Sequence, residues 1–576
     1  MMFVRMMHSA LVDADWLATE EYMSPERSRE RQSIKSDSVE TLSSKLEAFI
    51  NERERSSNGR INALRKKIHK ACFKAGDKRR GIYRLNVPTG GGKTLSSLSF
   101  ALRHAVKHGL KRVIYVIPYT SIIEQTADEF RKVLGSRNVL EHQSNITDEN
   151  DSSQNRYASE NWDMPVIVTT SAQFFETLFS CKNSKCRKIH NIAQSVIVFD
   201  EAQSLPTDLL FPCIECIKVL RRHYSCSALL CTATQPALEH RERFFDIGWR
   251  HNEAKSLLGD RMEQMLRRKM KRVSVEAIGK KDTAELIEHY VQHGGSALFI
   301  VNLTRHAQEL YNALQEYGCE NVYHLSARMC PHHRLEVLET VRERLAANLP
   351  TILVATRVIE AGVDISFPIV YRDRCGVDSL AQSAGRCNRH GELESGKVFF
   401  FKSSEKEYDI PIMLVDLYNG ANVLDDMLLE DPNLDIFSSD AVNTYFQRFY
   451  SKGRHNHWDA DDTMAAKVGS SAGMLRAWNF PDIDAGFQMI PDNQRALFVP
   501  YGDKGKRVLE TLRTYRDNGW CISRALRRKL QSFSINVYEG EFNEMLKNGQ
   551  VANFFQENSI FCLTDEKKYS KIGLVR

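Results

Sequence analysis

The chain has 576 residues, of which 42% are hydrophobic and 26% charged, a composition typical of a soluble protein with well-packed cores. Its 79 basic and 73 acidic residues give a net charge of +6, a basic excess too small to indicate a nucleic-acid partner by itself. No apolar run approaches the ~20 residues of a membrane span, and the 13 cysteines follow no disulfide framework, so a membrane protein and a secreted disulfide scaffold are excluded and a cytoplasmic location is expected.

The first 20 residues carry acidic side chains among apolar ones. Asp13 and Asp15 are candidate metal ligands, although a metal site needs more donors than two aspartates. Residues 21–38 are Ser-rich and charged, which is typical of a linker, and apolar residues at helical spacing follow as far as residue 50. We therefore interpret residues 21–60 as a linker followed by a helix.

Short β-branched apolar runs alternate with helical stretches from about residue 61 to residue 270, and again over residues 271–405. This alternation is typical of buried parallel strands separated by helices. The sequence therefore predicts an α/β protein with two tandem units, each built on a parallel sheet. Polar residues 144–163 interrupt the first unit and are predicted to form a long surface loop.

The sequence VPTGGGKT, residues 87–94, follows a strand-like run and opens a helix. In such a loop the glycines let backbone N–H groups wrap phosphates, the lysine reaches the β- and γ-phosphates, and the threonine hydroxyl holds Mg²⁺. Pro88 stands where the general pattern has glycine, so the strand–loop–helix context carries the prediction. The candidate nucleotide-binding residues are Thr89, Gly90, Gly91, Gly92, Lys93 and Thr94.

Two further motifs supply groups for nucleotide hydrolysis. SVIVFDEAQSLP is an apolar strand that ends in Asp200, which can hold Mg²⁺ through water, and Glu201, which can deprotonate the attacking water. SLAQSAGRCNRHGE spaces Gln382, Arg386 and Arg389 four and three residues apart, so a helix would place them on one face. Such arginines are usually surface salt bridges, but after a second α/β unit they are candidate arginine fingers for a γ-phosphate.

These three motifs, in this order on two α/β units, resemble those of the superfamily-two helicases. The resemblance implies two RecA-like domains that bind ATP and Mg²⁺ between them. VTTSAQFFE, CTATQP, IVNLTRHAQELY and ATRVIEAGVDIS stand where that superfamily carries its DNA-contacting and coupling segments. The resemblance thereby implies DNA contacts by Thr169, Thr170, Asn302, Thr304 and Thr356, and nucleotide contacts by Gly362 and Asp364.

Residues 60–400 show a narrower resemblance, to the helicase–nuclease effector of type I CRISPR systems. It rests on NWDMPVIVTTSAQFFETLFS, CRKIHNIAQSVIVFDEAQSLP, LLCTATQPAL and VYHLSARMCPHHR. ALFVPYGDKGKRVLETL is similar, more weakly, to the small accessory domain of that family. The resemblance implies RecA-like domains at residues 61–270 and 271–405, a linker or helical region at 406–490, and a C-terminal accessory domain at 491–576.

SALVDADWLATE, near the first residue, looks like the closing helix of the HD-type nuclease domain that precedes the helicase in that family. None of the 18 histidines is followed by aspartate, and the only adjacent pair, His332–His333, lies inside the second helicase unit. We interpret residues 1–20 as a loosely held remnant of that domain, with Asp13 or Asp15 as an orphan metal ligand. Nuclease activity is expected to be missing from this chain or supplied by a separate HD nuclease.

The cysteines leave one alternative open. Cys181, Cys186 and His190 have the chemistry of zinc ligands, but a fourth ligand is not evident. Cys213 and Cys216 have the spacing of a zinc pair but lie within a helical pattern. Structural roles are favoured over metal binding for both groups.

Together these patterns predict an ATP-dependent helicase or translocase on single-stranded DNA. The family resemblance implies 3′→5′ movement, a role in CRISPR interference, and recruitment by an RNA-guided surveillance complex that has opened an R-loop. An RNA helicase of the same superfamily and a non-catalytic DNA-binding or docking module are the alternatives. Residues 503–530, with nine basic and three acidic side chains, are either a solvated helix face or a cap over a DNA channel.

Overall fold

The fold of the chain is that of a computed structural model, described for residues 1–56, 59–118, 120–143, 153–241, 245, 247–360, 362–451, 479–490, 493–555 and 560–575. The chain forms two compact units. The first is built from the segments Met1–Ser144, Glu149–Lys271 and Asp425–Ile490, and the second mainly from Arg272–Leu424 and Pro491–Arg576. Among the helices of these described residues, none is long and apolar enough to cross a bilayer.

The first unit contains a sheet of seven strands: β1 (Ile82–Asn86), β2 (Arg112–Ile117), β3 (Val139–His142), β4 (Val166–Thr170), β5 (Ser195–Phe199), β6 (Ser227–Thr232) and β7 (Ala254–Ser256). Their spatial order is β3-β4-β2-β5-β6-β1-β7, and every pairing is parallel. The apolar runs in the sequence are near-continuous because β2, β4, β5 and β6 are buried along their whole length.

Helices accompany this sheet: α1 (Met2–Met23), α2 (Pro25–Ser33), α3 (Val39–Ser56), α4 (Arg60–Ala75), α5 (Lys93–His108), α6 (Thr120–Leu134), α7 (Ser153–Asn161), α8 (Ser171–Phe179), α9 (Asn183–Cys186), α10 (Leu210–His223) and α11 (Asp260–Lys269). The apolar faces of α3, α4 and α5 meet at Leu46, Ile68 and Leu98, all fully buried. Burial of these faces fixes α5, and with it the loop that precedes α5, against the sheet.

The second unit contains a parallel sheet of six strands: β8 (Val273–Lys281), β9 (Ala297–Ile300), β10 (Val322–Leu325), β11 (Ile352–Ala355), β12 (Ile369–Asp373) and β13 (Gly396–Ser403). They pair in parallel in the order β10-β11-β9-β12-β13-β8. The accompanying helices are α12 (Thr283–His293), α13 (Thr304–Glu316), α14 (Pro331–Ala346) and α15 (Val377–Ala384). The predicted pair of tandem parallel α/β domains is confirmed.

The remaining elements follow the second sheet along the chain. Among the described residues of this stretch, three helices come first, α16 (Val415–Glu430), α17 (Ser439–Ser451) and α18 (Phe480–Gly486). A small α/β region follows, with β14 (Gln494–Phe498), α19 (Gly502–Asp517), α20 (Arg524–Ser532), β15 (Ser534–Tyr538), α21 (Glu539–Lys547), β16 (Val551–Phe555), β17 (Ile560–Leu563), β18 (Tyr569–Ser570) and β19 (Gly573–Leu574). Its four-stranded sheet has the order β15-β14-β17-β16, and a separate accessory domain at residues 491–576 stays a prediction.

This C-terminal α/β region belongs to the same compact unit as the second parallel sheet. Arg328 makes two hydrogen bonds to the carboxylate of Glu541, at 2.8 and 2.6 Å, and Tyr569 accepts a hydrogen bond from the backbone N–H of Cys330 at 2.9 Å. Paired charges and satisfied backbone groups therefore join α21 and β18 to the loop between β10 and α14.

The prediction that residues 1–20 are loosely held is wrong. They lie in α1, one face of which packs on α9 and on the 3₁₀ turn Ile189–Ile192. Arg5, Ser9 and Asp13 are buried on that face and bond to groups 174–181 residues further along the chain. The sequence pattern misses this packing because polar residues on a helix normally indicate its solvent face.

Part of the predicted linker and part of the predicted surface loop are also helical. Arg31, in α2, forms ion pairs with Glu20 and with Glu160 of α7, and its guanidinium lies 4.8 Å from the centre of the Tyr157 ring. Tyr157 and the following Trp162 are buried, which explains why α7 is held against the domain. Residues 144–152 of the predicted loop lie outside the described residues.

Candidate nucleotide-binding and hydrolysis site

The predicted phosphate loop connects β1 to α5. Gly90 and Gly92 have φ angles of 80° and 77°, a left-handed conformation that other residues rarely adopt. A Cβ atom on Gly91 would lie 2.3 Å from a methyl carbon of Val87, so this position has no room for a side chain. The three glycines thus follow from the backbone geometry of the loop. The half-buried Thr89 stands before them, and α5 begins at Lys93.

Lys93 lies between the two acids at the end of β5. Its Nζ is 2.9 Å from Oδ1 of Asp200 and also donates to Oε1 of Glu201. Burial alone would lower the pKa of Lys93, but attraction to these two carboxylates outweighs burial and raises its pKa above the ordinary value. The ammonium is therefore charged and placed where incoming phosphates would compete with the carboxylates for it.

The donors around this lysine are compatible with a magnesium ion brought in with a nucleotide. Mg²⁺ prefers hard oxygen ligands and usually takes one or two carboxylates, with phosphate oxygens and waters filling its other positions. Asp200 supplies a carboxylate at the end of β5, and the half-buried Thr94 supplies a hydroxyl in the first turn of α5. These two side chains are the ones that would hold it.

Glu201 is connected to the end of β6 through Gln203. This residue belongs to the same strand-end motif, but the motif alone does not predict a role for it. The Gln203 amide donates to Oε2 of Glu201 at 2.7 Å, and its carbonyl oxygen accepts a hydrogen bond from the Thr232 hydroxyl. The Thr232 hydroxyl in turn accepts from the backbone N–H of Thr234 at 3.0 Å. Glu201 itself has a φ of 47°, an uncommon backbone conformation that clusters at functional sites.

A second residue that sequence reasoning missed is Arg65 of α4. Its Nε donates to the carbonyl oxygen of Gly90 at 2.9 Å, and its hydrocarbon chain lies beside Gly92. Arg65 thus supports the phosphate loop from outside the motif. The local sequence offers no signal for this role, because an arginine on an amphipathic helix usually faces solvent.

The second unit brings together its residues that were predicted to contact the nucleotide. Arg389 pairs with Asp364, with 2.6 Å between Nε and Oδ1, and its backbone N–H donates to the Ser366 hydroxyl at 2.9 Å. Gly362, two residues before Asp364, has a φ of 78°. The loop after β11 and the segment after α15 are therefore joined at the predicted nucleotide residues of this unit.

The prediction that Gln382, Arg386 and Arg389 share one helix face is wrong. Only the half-buried Gln382 lies in α15, which ends at Ala384, and the chain then turns through Gly385 and through Asn388 at a φ of 45°. Arg386 is 6% exposed, and its guanidinium donates to the backbone carbonyls of Ile359 and Glu360. Helical spacing fails here because the turn ends the helix between the glutamine and the first arginine.

The residues predicted to contact DNA lie at the carboxyl ends of strands, where α/β sheets usually place their ligands. Thr170 caps α8 by accepting from the Gln173 backbone at 2.9 Å, and the Thr169 hydroxyl donates to the His142 carbonyl at 3.0 Å. Asn302 follows β9 and donates to Asp373 at 3.0 Å. Thr304 begins α13, and the buried Thr356 follows β11. Thr169 is fully buried, so its side chain is not accessible to a strand of DNA in this structure. DNA contacts by these residues stay a prediction.

Asp13 takes part in a buried ion pair. Arg187 donates to its Oδ1 through Nε at 2.8 Å, Asn161 donates to Oδ2 at 3.1 Å, and His190 lies 3.7 Å away. Asp15 is exposed. Within the ranges that the structure describes, no three His, Cys, Asp or Glu side chains are grouped so that they could hold a metal ion. A ligand role for either aspartate stays a prediction.

The predicted cysteine alternative has a defined geometry. Cys181 is exposed and its thiol donates to Asp484 at 3.2 Å, while the Cys186 thiol is buried and donates to the Ser180 carbonyl. Cys213 and Cys216 are both fully within the core. Burial raises the pKa of Cys216 to about 12, which disfavours the thiolate that a metal ion would need.

Two protein-family models match the chain. Residues 66–242 match the DEAD/DEAH box helicase model, and residues 293–392 match the C-terminal model of the CRISPR-associated nuclease/helicase Cas3. The CRISPR-associated nuclease/helicase Cas3 of Haloferax volcanii is 24% identical over 445 residues, an alignment that covers 57% of this chain and 47% of that protein. The chain thus spans about half the length of the curated relative that it matches.

Two solved structures resemble the fold. The crystal structure of T. fusca Cas3 with ATP has a TM-score of 0.61 at 14% identity, and the match covers 86% of this chain and 67% of that chain. A structure described as a CRISPR RNA-guided surveillance complex, pre-nicking, contains a chain with a TM-score of 0.55 at 14% identity, covering 90% of this chain and 68% of that one. Likeness at this level of identity concerns the fold.

Proposed function

Because the chain belongs to the Cas3 helicases, we propose that it is an ATP-dependent translocase and helicase that acts on single-stranded DNA in CRISPR interference. The observation that carries this proposal is the position of Lys93 within ion-pair distance of both Asp200 and Glu201. A phosphate-binding cation, a metal-binding acid and a base thereby stand beside one glycine loop. Phosphoryl transfer to water uses these groups, and the rest of its catalysis is positioning and charge stabilisation, to which arginines contribute.

The proposed hydrolysis begins when the nucleotide phosphates draw the Lys93 ammonium away from the two carboxylates. A water oxygen then attacks the γ-phosphorus, the bond to the bridging oxygen of the ADP leaving group breaks, and Glu201 accepts the proton of the water. Asp200 and Thr94 would hold Mg²⁺, which supplies neutralisation of the phosphate charge. Lys93 stays with the β- and γ-phosphates while charge moves onto the leaving group.

Gln203 positions the base in this scheme. Its hydrogen bond to Oε2 of Glu201 survives when Lys93 leaves Oε1, so the carboxylate keeps its orientation. The same side chain receives the hydroxyl of Thr232 at the end of β6. A change at the hydrolysis site is thereby passed to the loop that begins at residue 233.

The proposal extends to the second unit and to the DNA. Arg386 and Arg389 are proposed to stabilise the charge that builds up on the γ-phosphate, and Gly362 and Asp364 to contact the nucleotide. Hydrolysis would then drive movement along a single strand, in the 3′→5′ direction that the family implies. Recruitment by an RNA-guided surveillance complex of a type I CRISPR system, and a separate HD nuclease as a partner, belong to the same proposal.

An RNA helicase is the closest alternative, and one assay separates it. Steady-state ATP hydrolysis is measured with Mg²⁺ alone, with single-stranded DNA and with RNA of the same sequence. Stimulation by DNA and not by RNA supports the proposal, whereas the reverse order supports an RNA helicase. Absence of hydrolysis in all three, with DNA binding retained, would favour a docking module with a dead ATPase.

A further inference from the structure

The buried carboxylate of Glu360 is the centre of a hydrogen-bond network in the second unit. Glu360 follows β11 and is 4% exposed. Its Oε1 accepts a hydrogen bond from the Ser379 hydroxyl at 2.6 Å and forms an ion pair with the guanidinium of Arg372 at 2.9 Å. The Ser383 hydroxyl lies 3.4 Å from the same oxygen and also donates to the backbone carbonyl of Ser379 at 2.9 Å. Ser379 and Ser383 are one turn apart in α15, so Glu360 contacts this helix at two successive turns.

The main chain of the same residue holds Arg386. The Arg386 guanidinium donates to the carbonyl oxygen of Glu360 through Nη2 and to that of Ile359 through Nε at 2.9 Å. Glu360 therefore fixes α15 with its side chain and the arginine beyond α15 with its backbone. A displacement of its carboxylate would move the helix and the arginine together.

Arg372, the partner of Glu360, extends the network across the sheet. It is fully buried on β12 and donates to the Asn302 side chain at 2.9 Å, to the Ser379 hydroxyl at 2.9 Å and to the backbone carbonyl of Asp373 at 2.8 Å. A buried ion pair of this kind rarely contributes more stability than well-packed apolar residues of equal volume. What a carboxylate and a guanidinium supply, and apolar residues do not, is a fixed geometry for their hydrogen-bonded neighbours.

We propose that Glu360 is a positioning residue for ATP hydrolysis, which sets the geometry of α15 and of the Arg386 and Arg389 segment. This inference rests on the proposed ATPase function. Glu360 does not touch the nucleotide in this scheme. It acts through the arginines, so its loss reduces turnover and leaves nucleotide affinity in place.

Glu360→Gln is the informative variant, because glutamine has the same shape. The amide keeps one acceptor oxygen but places an NH₂ group where donors already converge, since Arg372 approaches one carboxylate oxygen and Arg357 the other at 3.4 Å. A donor facing a donor displaces α15. The kcat of DNA-stimulated hydrolysis should fall by about 10²-fold, the scale expected when catalytic groups are slightly misplaced. The KM for ATP should change little.

A double variant separates positioning from stability. Glu360→Leu with Arg372→Met replaces the pair by apolar residues and leaves no uncompensated charge, which should recover part of the melting temperature that Glu360→Gln loses; the rest stays lost because Asn302 and the Asp373 carbonyl no longer have their donor. The proposal expects kcat to stay low in this double variant. Glu541→Gln is the control, because it also removes a carboxylate from an arginine pair within the same unit, between α21 and the loop before α14. This control should keep its kcat.

The outcomes distinguish this inference from the function on which it rests. A wild-type chain without ATP hydrolysis overturns both. An active wild-type chain whose Glu360→Gln variant keeps its kcat, or whose double variant regains kcat together with its melting temperature, overturns the positioning role alone. A fall in kcat equal to that of Glu541→Gln overturns it as well, because any lost ion pair in the unit would then have the same effect.

Discussion

Removal of the Asp13 carboxylate is expected to loosen α1 and to leave ATP hydrolysis unchanged. Asp13 and Arg187 are 5% and 3% exposed, and Arg187 donates to Oδ1 of Asp13 through Nε at 2.8 Å, with Nη2 at ion-pair distance, also 2.8 Å. Breaking a buried ion pair from one side costs about 3–5 kcal/mol, because the remaining charge is buried without compensation. Glu160 lies 3.4 Å from Nη1 of Arg187 and offsets part of that cost, so about 3 kcal/mol is expected for Asp13→Ala.

Amide hydrogen exchange of the α1 peptides measures this change, because it reports the free energy of local opening. A loss of about 3 kcal/mol corresponds to exchange faster by about 10²-fold, since each 1.4 kcal/mol is tenfold. Asp15→Ala is the matched control on the same helix, where the side chain is exposed and the expected change is within about 0.5 kcal/mol. DNA-stimulated ATP hydrolysis should match that of the wild type in both variants.

Two results would contradict this reasoning. Unchanged exchange in Asp13→Ala, or an equal change in Asp15→Ala, would show that the ion pair with Arg187 does not hold α1. Metal-dependent cutting of circular single-stranded DNA that is lost in Asp13→Ala would instead support the ligand role that the sequence suggested.

Three further outcomes concern the nucleotide and the DNA. Lys93→Ala should weaken binding of a fluorescent ATP analogue, because the phosphates lose contact with the lysine charge. Glu201→Gln should bind ATP but not hydrolyse it, and hydrolysis at the wild-type rate by this variant would show that Glu201 is not the base. Arg389→Ala should lower kcat toward the ~10³–10⁵-fold range of arginine fingers with a smaller change in KM, and normal turnover would make its ion pair structural. DNA affinity should fall steeply with salt concentration. Neutralising Arg527 and Arg528 should make the slope of log K against log salt shallower by about 0.7 for each phosphate contact that is lost. An unchanged slope would mean that these arginines face solvent and do not contact DNA.

Local sequence patterns predict much of the fold and the part of the site that lies in the first unit. A strand that is buried on both faces must be apolar throughout, so the runs that became β2, β4, β5 and β6 could be identified without tertiary information. The phosphate loop could be identified for a similar reason, because its φ angles and its tight approach to Val87 admit only glycine at successive positions. Lys93 and Asp200 were identified because each is fixed by a neighbouring strand or helix end.

Contacts between segments that are distant in sequence were decided by the tertiary structure alone. No local pattern indicates that Arg65 bonds to Gly90, or that Glu360 accepts a hydrogen bond from Ser379, because bonds of this kind depend on how helices pack on the sheet. The same holds for α1, whose polar residues look solvent-facing until their partners beyond residue 160 are brought to them. Spacing in the sequence determines which residues can share an element, but only packing determines which buried polar groups satisfy one another, since each must find a partner wherever the fold supplies it.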